Sequence, residues 1–234
     1  MNHPAIKSRV HNWKLSPSDF AFLWEECRRC FYLKVAQDFK RPSIPMPRIF
    51  TTIDQLMKQY FAGQRTEEFV SGLPGGVFEY SEHWVESRPL AVQGHTSSCF
   101  IRGKFDTVVR FDNGGFGVVD FKTSARNSEH IPLYARQLHA YACALEQAAP
   151  GRLALSPVRR LGLLVYEPNA FEQQTTGAGR LSGSLSWLEI PRENGGFRDF
   201  LGEVLEVLEQ PAPPAGSASC PWCAHRDTAR RTGL

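Results

Sequence analysis

The feature that most constrains this chain is a pair of alternating segments joined by a glycine-rich turn near the middle of the sequence. Residues 99–111 and 116–123 alternate apolar and polar side chains with the period of two that is typical of a half-buried β-strand. The sequence Asp112-Asn113-Gly114-Gly115 between them supplies residues that accept the left-handed backbone of a hairpin turn. We therefore predict a β-hairpin with one face in the core and one face free to carry polar groups.

The polar face of this hairpin carries charged side chains from both strands. Asp120 and Lys122 are two residues apart, so they project from the same face of one strand. A three-residue loop at 113–115 pairs Asp106 with Lys122 and places all three side chains on that face, whereas a two-residue loop at 113–114 turns Asp106 to the opposite face. We favour the three-residue loop, because the consecutive glycines supply the left-handed residue that it needs.

Two carboxylates and a lysine on one face admit two interpretations. Like charges a few ångströms apart repel each other unless a cation lies between them, and oxygen ligands favour Mg²⁺ or Mn²⁺. Such an ion polarises a phosphodiester and activates water, while a lysine orients the nucleophile or stabilises developing charge. The alternative is structural, since Asp106 and Lys122 can also form a cross-strand ion pair on a solvated face.

Helical and strand patterns on both sides of the hairpin predict the rest of the fold. The length of 234 residues suits a single domain over residues 1–234 with an ordinary hydrophobic core. Helical spacing covers 16–37, 50–61, 131–147 and 197–209, and further strands, separated by a Gly- and Thr-rich loop, cover 160–166 and 185–190. We therefore predict an α/β fold in which one central mixed β-sheet is flanked by helices.

Composition sets limits on location and partners. No apolar run approaches the roughly 20 residues of a membrane helix, and residues 1–14 lack the apolar core of a secretory signal. We therefore expect a cytoplasmic protein with no membrane contact, whose cysteines are thiols or metal ligands. The net charge of +3 permits a nucleic-acid partner and does not require one.

The charged hairpin and the helix after it resemble the PD-(D/E)XK nuclease superfamily. Gly103-Lys104-Phe105-Asp106, followed by a hydrophobic strand and Asp120-Phe121-Lys122, is similar to the motif of that superfamily. Gln137-Leu138-His139-Ala140-Tyr141 is similar to the Gln-x-x-x-Tyr of its RecB-like branch, which includes exonucleases of CRISPR adaptation. Residues 15–18 and 27–33 resemble the N-terminal signature of the same branch.

The resemblance implies a restriction-endonuclease-like fold with its catalytic core at residues 98–145. It also implies roles for the matching residues of the hairpin. Asp106, Asp120 and the backbone carbonyl of Phe121 would hold the metal ion. Lys122 would be the catalytic lysine.

Two flanking helices are expected to complete the site. Gln137 and Tyr141 are four apart on one helix face, where an amide and a phenol could hold the lysine and a DNA phosphate or base; ordinary helix packing is the alternative. RecB-like enzymes usually place a metal-binding histidine in the helix that here contains residues 51–57, and Asp54 stands at that place. Because a carboxylate is a harder ligand than imidazole, we predict Asp54 as a metal ligand, with an exposed helical acid as the alternative.

Four cysteines form two C-x-x-C pairs near the two ends of the sequence. Cys27 and Cys30 lie on the N-terminal helix predicted at 15–38, and Cys220 and Cys223 follow a Pro/Ala/Ser linker. Two such pairs make a four-thiolate site that ties the C-terminal tail to the first helix, and by spacing alone zinc and an iron–sulfur cluster fit equally well. The resemblance implies a 4Fe–4S cluster, although its commoner pattern is one N-terminal and three C-terminal cysteines. Zinc is the alternative.

Basic residues surround both cysteine pairs and continue into the C-terminal segment 211–234. They are Arg28, Arg29, Lys40, Arg41, Arg226, Arg230 and Arg231. If the cysteines bring the chain ends together, these residues form a phosphate-binding patch; a solvated basic surface is the alternative. We expect Trp222, inside the second pair, to cover the cysteine site.

Together these features predict a metal-dependent deoxyribonuclease that hydrolyses phosphodiester bonds with metal-activated water. By resemblance it would act like an exonuclease on single-stranded DNA or DNA ends, with helicase, repair or CRISPR-adaptation proteins as partners. The alternative is a catalytically inactive subunit that keeps the fold and binds nucleic acid or assembles with other proteins, which Asp54 and the modest net charge favour. A zinc-stapled adaptor is a third possibility, and it explains only the cysteines.

Overall fold

Nine strands and seven α-helices make up the part of the chain that the computed structural model describes, residues 11–42, 45–69, 71–124 and 131–233. The strands are β1 (Asn12–Leu15), β2 (Gly76–Ser81), β3 (Trp84–Glu86), β4 (Leu90–Ala91), β5 (Ser98–Lys104), β6 (Thr107–Phe111), β7 (Phe116–Thr123), β8 (Val158–Thr175) and β9 (Ala178–Ile190). The helices are α1 (Pro17–Ala21), α2 (Leu23–Glu26), α3 (Arg28–Gln37), α4 (Arg48–Phe61), α5 (Ile131–Glu146), α6 (Asn194–Leu208) and α7 (Pro221–Thr232).

The strands form two mixed sheets flanked by helices, which confirms the predicted α/β architecture but divides the predicted single sheet in two. In the first sheet β5 pairs with β1 in parallel and with β3 and β4 in antiparallel orientation. The second sheet has the order β2-β6-β7-β8-β9, in which β7 and β8 are parallel and the other neighbours antiparallel. No helix among the described residues is long and apolar enough to cross a membrane.

The division occurs inside the predicted strand 99–111, which the structure breaks at Phe105 and Asp106. Lys104 ends β5 in the first sheet, and Thr107 begins β6 in the second. Phe105 is 1% exposed and belongs to the main core, so burial of this aromatic ring accompanies the change of direction. The break leaves Asp106 at the junction of the two sheets.

The hairpin turn closes one residue earlier than predicted. The Phe111 N–H donates to the Gly115 carbonyl at 3.1 Å, so the three-residue loop is 112–114 rather than 113–115. Thr107 therefore pairs with Val119, and the same register sets Asp106 beside Asp120. The predicted pairing of Asp106 with Lys122 is wrong. The predicted face of Asp106 is nevertheless right, because Asp120 and Lys122, two residues apart on the partner strand, project from the same face of the sheet.

The N-terminal helix predicted over 16–37 is broken into α1, α2 and α3. Phe22 separates the first two helices, and Cys27, with φ −167° and ψ 108°, has extended backbone between the last two. The break turns Trp24 into the core, where its ring packs edge-on against Phe31 and Phe200. Cys27 and Cys30 therefore do not share one helix, although both remain buried.

The two strands predicted at 160–166 and 185–190 extend into one long hairpin. Pairing of β8 with β9 continues through Ala170 and Ser182 to a tight turn at Thr176-Gly177, where a loop was predicted. Gly177 has φ +84°, a left-handed conformation that favours glycine. The Gln-, Gly- and Ser-rich sequence of the outer hairpin has low strand propensity, so its pairing was not visible in the pattern.

Strand β7 lies between two hydrophobic clusters, and this placement positions the polar end of the strand. Val118 belongs to the main core, together with Leu138 of α5, whereas Val119 and Phe121 belong to a second core with Phe61 of α4. Helices α4 and α5 therefore cover opposite faces of β7. Both helices reach the end of the strand that carries Asp120 and Lys122.

Candidate functional site

Asp120 is a buried carboxylate in β7, 4% exposed. Its Oδ2 forms an ion pair with Lys122, and its Oδ1 accepts a hydrogen bond from Gln137 Nε2 at 3.2 Å. Burial raises the pKa of Asp120 to about 6; the charge of Lys122 opposes the rise and that of Asp106 adds to it. A carboxylate in this setting gains from any additional cation brought near it.

Asp106 is fixed to the neighbouring strand and to helix α4. Its Oδ2 accepts a hydrogen bond of 3.0 Å from the Phe121 backbone N–H, and its Oδ1 lies 2.8 Å from Lys58 Nζ. Because N–H and C=O of one strand residue point to the same edge, the Phe121 carbonyl faces the edge where Asp106 lies. Asp106, Asp120 and the Phe121 backbone are thus brought together as predicted.

Lys122 is held as a cation beside Asp120. Burial favours the neutral amine, but the charge of Asp120 outweighs it and keeps the pKa of Lys122 above its usual value. Its Nζ also lies 4.8 Å from the centre of the Tyr134 ring, within cation–π range. Lys122 and Asp120 are neighbours along one strand, so the predicted cross-strand pair between Lys122 and Asp106 is replaced by an ion pair within β7.

Sequence reasoning missed Lys58, the residue of α4 that contacts this cluster most closely. Its Nζ lies 2.8 Å from Asp106 Oδ1, 2.8 Å from Asp54 Oδ2 and 3.7 Å from Glu82 Oε1. Burial would lower its pKa, but hydrogen bonds to Asp106 and Asp54 hold the pKa above its usual value. The i,i+4 spacing of Asp54 and Lys58 was the available signal, and such spacing is too common on helices to indicate an active site.

Asp54 lies on the same side of the molecule as the strand carboxylates and reaches them through Lys58. It also lines a cleft of about 400 Å³. The other lining residues are Met46, Phe50, Thr51, Lys122 and Thr123. The prediction that Asp54 binds a metal ion stays a prediction, because its contact in the structure is with an ammonium group.

The two helix residues predicted from Gln-x-x-x-Tyr occupy different positions in the site. Gln137 donates to Asp120 and thereby orients that carboxylate. Tyr141 is 5% exposed, and its hydroxyl donates to the Lys104 carbonyl at 2.7 Å, which anchors the end of β5. Their predicted roles toward Lys122 and toward DNA stay predictions.

The donor set fits a hard divalent cation. Carboxylate oxygens of Asp106 and Asp120 and the Phe121 backbone converge at one strand end, and oxygen donors are the ligands that Mg²⁺ and Mn²⁺ prefer. Lys58 already places a positive charge between Asp106 and Asp54, so the protein itself shows that this space accepts a cation. The structure therefore supports these residues as candidate ligands, with Asp54 at the edge of the set.

The second site is the predicted cluster of four cysteines, which joins α3 to the start of α7. Cys27, Cys30, Cys220 and Cys223 are buried free thiols, and their sulfur atoms all lie within 4.8 Å of one another. The Sγ–Sγ distances are 3.6 Å for Cys27–Cys223, 3.7 Å for Cys30–Cys223 and 3.8 Å for Cys30–Cys220. Four converging thiols fit a metal centre.

Two arginines and one backbone amide donate hydrogen bonds to these sulfurs. Arg226 Nη2 lies 3.2 Å from Cys223 Sγ, and Arg41 Nη2 lies 3.3 Å from Cys220 Sγ. The Ser217 N–H lies 3.5 Å from Cys27 Sγ. Burial opposes ionisation of Cys27, but this amide and its neighbours lower its pKa to about 6. Such donors favour the thiolate form that binds metals, whereas burial raises the pKa of Cys30 and of Cys223 in the same cluster.

Several residues of the predicted basic patch are engaged inside the protein. Arg41 and Arg226 contact the sulfurs, Arg29 forms an ion pair of 3.5 Å with Asp227, and Arg28 lies over the Trp24 ring. These contacts reduce the positive charge that the patch offers to phosphates. Trp222 packs against the cysteine cluster, as expected for a residue that covers it.

Comparison with known proteins identifies the family. The model of the PD-(D/E)XK nuclease superfamily matches residues 34–228. No curated protein matches the chain. A solved structure described as "Crystal structure of SSO0001" is similar with 17% sequence identity and a TM-score of 0.44, over 92% of this chain and 84% of that chain.

The family match runs from within α3 to within α7 and so includes both β-sheets except β1, the carboxylate cluster and the second cysteine pair. A nuclease superfamily implies phosphodiester cleavage, a nucleic-acid substrate and the use of a divalent metal ion. On a match of this extent, the chain belongs to the PD-(D/E)XK nuclease superfamily.

Proposed function

We propose that this protein is a metal-dependent deoxyribonuclease of the RecB-like branch, exonuclease-like in action, which cuts single-stranded DNA or DNA ends. The observation that carries the proposal is the convergence of Asp106 and Asp120 beside the charged Lys122 at the end of β7. Each carboxylate has an ammonium partner, Lys122 for Asp120 and Lys58 for Asp106. Two carboxylates held side by side at one strand end, one of them buried, are nevertheless the arrangement that a metal site requires.

In this proposal Asp106, Asp120 and the Phe121 carbonyl hold Mg²⁺ or Mn²⁺. When bound, the ion supplies Lewis-acid polarisation of the phosphodiester and a water of lowered pKa. Gln137 keeps the Asp120 carboxylate oriented through its 3.2 Å hydrogen bond. Lys122, charged and facing the cleft, stabilises the negative charge that develops on the phosphate oxygens.

Exposed apolar side chains in the cleft support an unpaired nucleotide as the substrate. Phe50 is 43% exposed and Met46 is 69% exposed on the wall that also carries Asp54 and Lys122. An exposed aromatic ring such as that of Phe50 is a platform on which a single-stranded base can stack. A nucleotide stacked there would bring its phosphate toward the carboxylates.

We further propose that the cysteines hold a structural metal centre that fastens α7 to α3. The RecB-like resemblance favours a 4Fe–4S cluster. The sulfur separations favour zinc, because one tetrahedral ion at a Zn–S distance of about 2.3 Å sets sulfurs roughly 3.8 Å apart. Thiolates on a 4Fe–4S cube bind four different irons and lie farther apart. Iron, sulfide and zinc contents of anaerobically purified protein distinguish the two centres.

A second candidate function is a nucleic-acid-binding or assembly subunit that keeps the nuclease fold without catalysis. The observation in its favour is the ammonium of Lys58 between Asp54 and Asp106. Helicase, repair or CRISPR-adaptation partners, a cytoplasmic location and a single-domain organisation over 1–234 stay predictions under either function.

The test is cleavage of end-labelled single- and double-stranded DNA by anaerobically purified protein in Mg²⁺, Mn²⁺ or EDTA. We expect metal-dependent cutting that falls by at least about a hundredfold in Lys122→Met, since one charged group that stabilises the transition state contributes on this scale. Lys104→Met is the matched control, because Lys104 is an exposed lysine paired with Glu82. DNA binding without cutting by the wild type would overturn the nuclease and favour the subunit.

A further inference from the structure

Lys58 has no role in the proposed chemistry, although it lies at the centre of the carboxylate cluster. Its Nζ is 2.8 Å from Asp54 Oδ2 and 2.8 Å from Asp106 Oδ1, and Glu82 Oε1 follows at 3.7 Å. One ammonium group thus contacts three carboxylates contributed by α4, by the β2–β3 connection and by the β5–β6 junction. Convergence of several acids on one cation is the geometry of an ion-binding site.

The burial of Lys58 separates it from the surface ion pairs of this protein. Its side chain is 14% exposed, against 41% for Lys104, which shares the Glu82 partner. Exposed pairs contribute little, whereas an ammonium taken out of water must be compensated by close anionic partners. The two 2.8 Å contacts supply that compensation. Lys58 is therefore fixed in the cluster by the same carboxylates that it neutralises.

The net charge of the carboxylate cluster is compatible with one divalent ion. Among the described residues, three carboxylates and two ammonium groups form the less exposed part of the cluster, with a net charge of −1: Asp54, Asp106, Asp120, Lys58 and Lys122. Glu82 and Lys104 pair with each other at its exposed edge and together add no net charge. One divalent ion changes this to +1, which matches the single negative charge of a phosphodiester. Two ions would leave an excess of +3. Without Lys58 the cluster would carry −2, so a second divalent ion would leave +2 rather than +3 and would be opposed less strongly.

We propose that Lys58 is a fixed cation of the active site, which stands between Asp54 and Asp106 where a second metal ion would otherwise bind. The site then takes one divalent ion, through Asp106 and Asp120, and Asp54 positions Lys58 instead of binding metal. This inference rests on the proposed function, because it requires that the strand carboxylates bind a divalent ion.

The test is titration of the full-length protein with Mn²⁺, its cysteine centre intact, with free Mn²⁺ followed by electron paramagnetic resonance. Mn²⁺ prefers oxygen ligands to thiolates, so the signal reports on the carboxylate site. We expect one Mn²⁺ per wild-type chain, and in Lys58→Met either a second Mn²⁺ or about tenfold tighter binding of the first. Lys104→Met should behave as wild type. Two ions in the wild type, or an unchanged Lys58→Met, would overturn the inference.

A second variant keeps the test decisive if Lys58→Met does not fold. Asp54→Asn changes a side chain that is 35% exposed, and we expect Mn²⁺ affinity within about threefold of wild type. A loss of about tenfold or more would show that Asp54 is itself a ligand and would overturn the inference. If Asp54→Asn loses Mn²⁺ affinity while the wild-type protein cleaves DNA, only the role proposed for Lys58 is refuted. If the wild-type protein binds no Mn²⁺, the proposed function is refuted as well.

Discussion

The carboxylate site and the cysteine site gather negative groups in opposite ways. Asp106 and Asp120 come from neighbouring strands of one hairpin, and strand alternation brings them together. Cys27 and Cys223 are 196 residues apart, and only the complete fold brings their sulfurs to 3.6 Å. The first site therefore depends on local register, and the second depends on closure of nearly the whole chain.

The two sites also differ in the cations that accompany them. Lysines stand beside the carboxylates, where a compact ammonium leaves space for a hard metal ion and a phosphate. Arginines Arg41 and Arg226 stand beside the sulfurs and donate directly to them. We therefore expect changes at the cysteines to affect stability and changes at the carboxylates to affect activity.

The largest expected effect is on stability, in Cys220→Ser. Loss of one thiolate should release the metal centre, and because metal binding at such sites is coupled to folding, we expect a loss of about 3 kcal/mol or more in unfolding free energy. Metal content and chemical denaturation measure it. Cys143→Ser is the control, since Cys143 is half-buried on α5, lies outside the four-cysteine cluster and accepts a hydrogen bond of 3.5 Å from Gln147 Nε2. Equal stability of wild type and Cys220→Ser would remove the structural role of the cysteines.

For Asp120→Asn we expect a loss of activity with little change in stability. The amide keeps the shape of the side chain but loses a metal ligand, so cleavage should fall by at least about a hundredfold. The melting temperature should change by only a few degrees, because the loss of the Lys122 ion pair is offset by the relief of an ionised carboxylate in a buried position. A large loss of stability without a loss of Mn²⁺ binding would contradict the expectation that the carboxylates affect activity and the cysteines affect stability.

Glu209 joins distant segments of the chain through hydrogen bonds, without a metal ion and with a smaller expected effect on stability. Its Oε1 accepts hydrogen bonds from the Ser97 backbone N–H at 2.7 Å and the Thr96 backbone N–H at 2.9 Å, joining the end of α6 to the loop before β5. Burial opposes ionisation, but these bonds and those from the Ser97 hydroxyl and His95 lower the pKa of Glu209 from 4.5 to about 2. The stabilising contribution is therefore complete above about pH 4.5 and is lost as pH falls toward 2.

The substitution Glu209→Gln tests how much these hydrogen bonds contribute to the free energy of unfolding. We expect a loss of about 1 to 2 kcal/mol at pH 7, modest because the side chain is 26% exposed and solvent weakens the charge. The difference from wild type should shrink as the pH of the denaturation experiment is lowered from about 4.5 toward 2. A difference that is independent of pH would mean that the charge of Glu209 contributes nothing.

The sequence predicted the parts of the fold that follow from local pattern. Helices α4 and α5, the central hairpin and the convergence of Asp106, Asp120 and Lys122 all follow from periodicity and alternation. The meeting of the two cysteine pairs was also predicted, because C-x-x-C spacing indicates paired ligands even when the pairs are far apart.

The details that were wrong depend on tertiary packing. The hairpin loop has glycines at two successive positions, so two registers satisfy its turn chemistry and the sheet selects one. The break at Phe105 follows from burial of its ring, and the extended backbone of Cys27 follows from the turn that buries Trp24. Lys58 was missed because its significance arises only when α4 is placed against the β5–β6 junction.

The junction itself has a consequence for how the site responds to ligands. The chain crosses between the sheets twice at this point, and the crossings bond to each other: the Glu82 N–H donates to the Asp106 carbonyl at 2.9 Å, and the Phe105 N–H to the His83 carbonyl at 3.2 Å. The carboxylate cluster therefore lies at the seam between the two sheets. An ion held by Asp106 and Asp120 would stabilise that seam, and by thermodynamic linkage the free energy by which the bound ion favours the closed seam equals the free energy by which the closed seam favours ion binding.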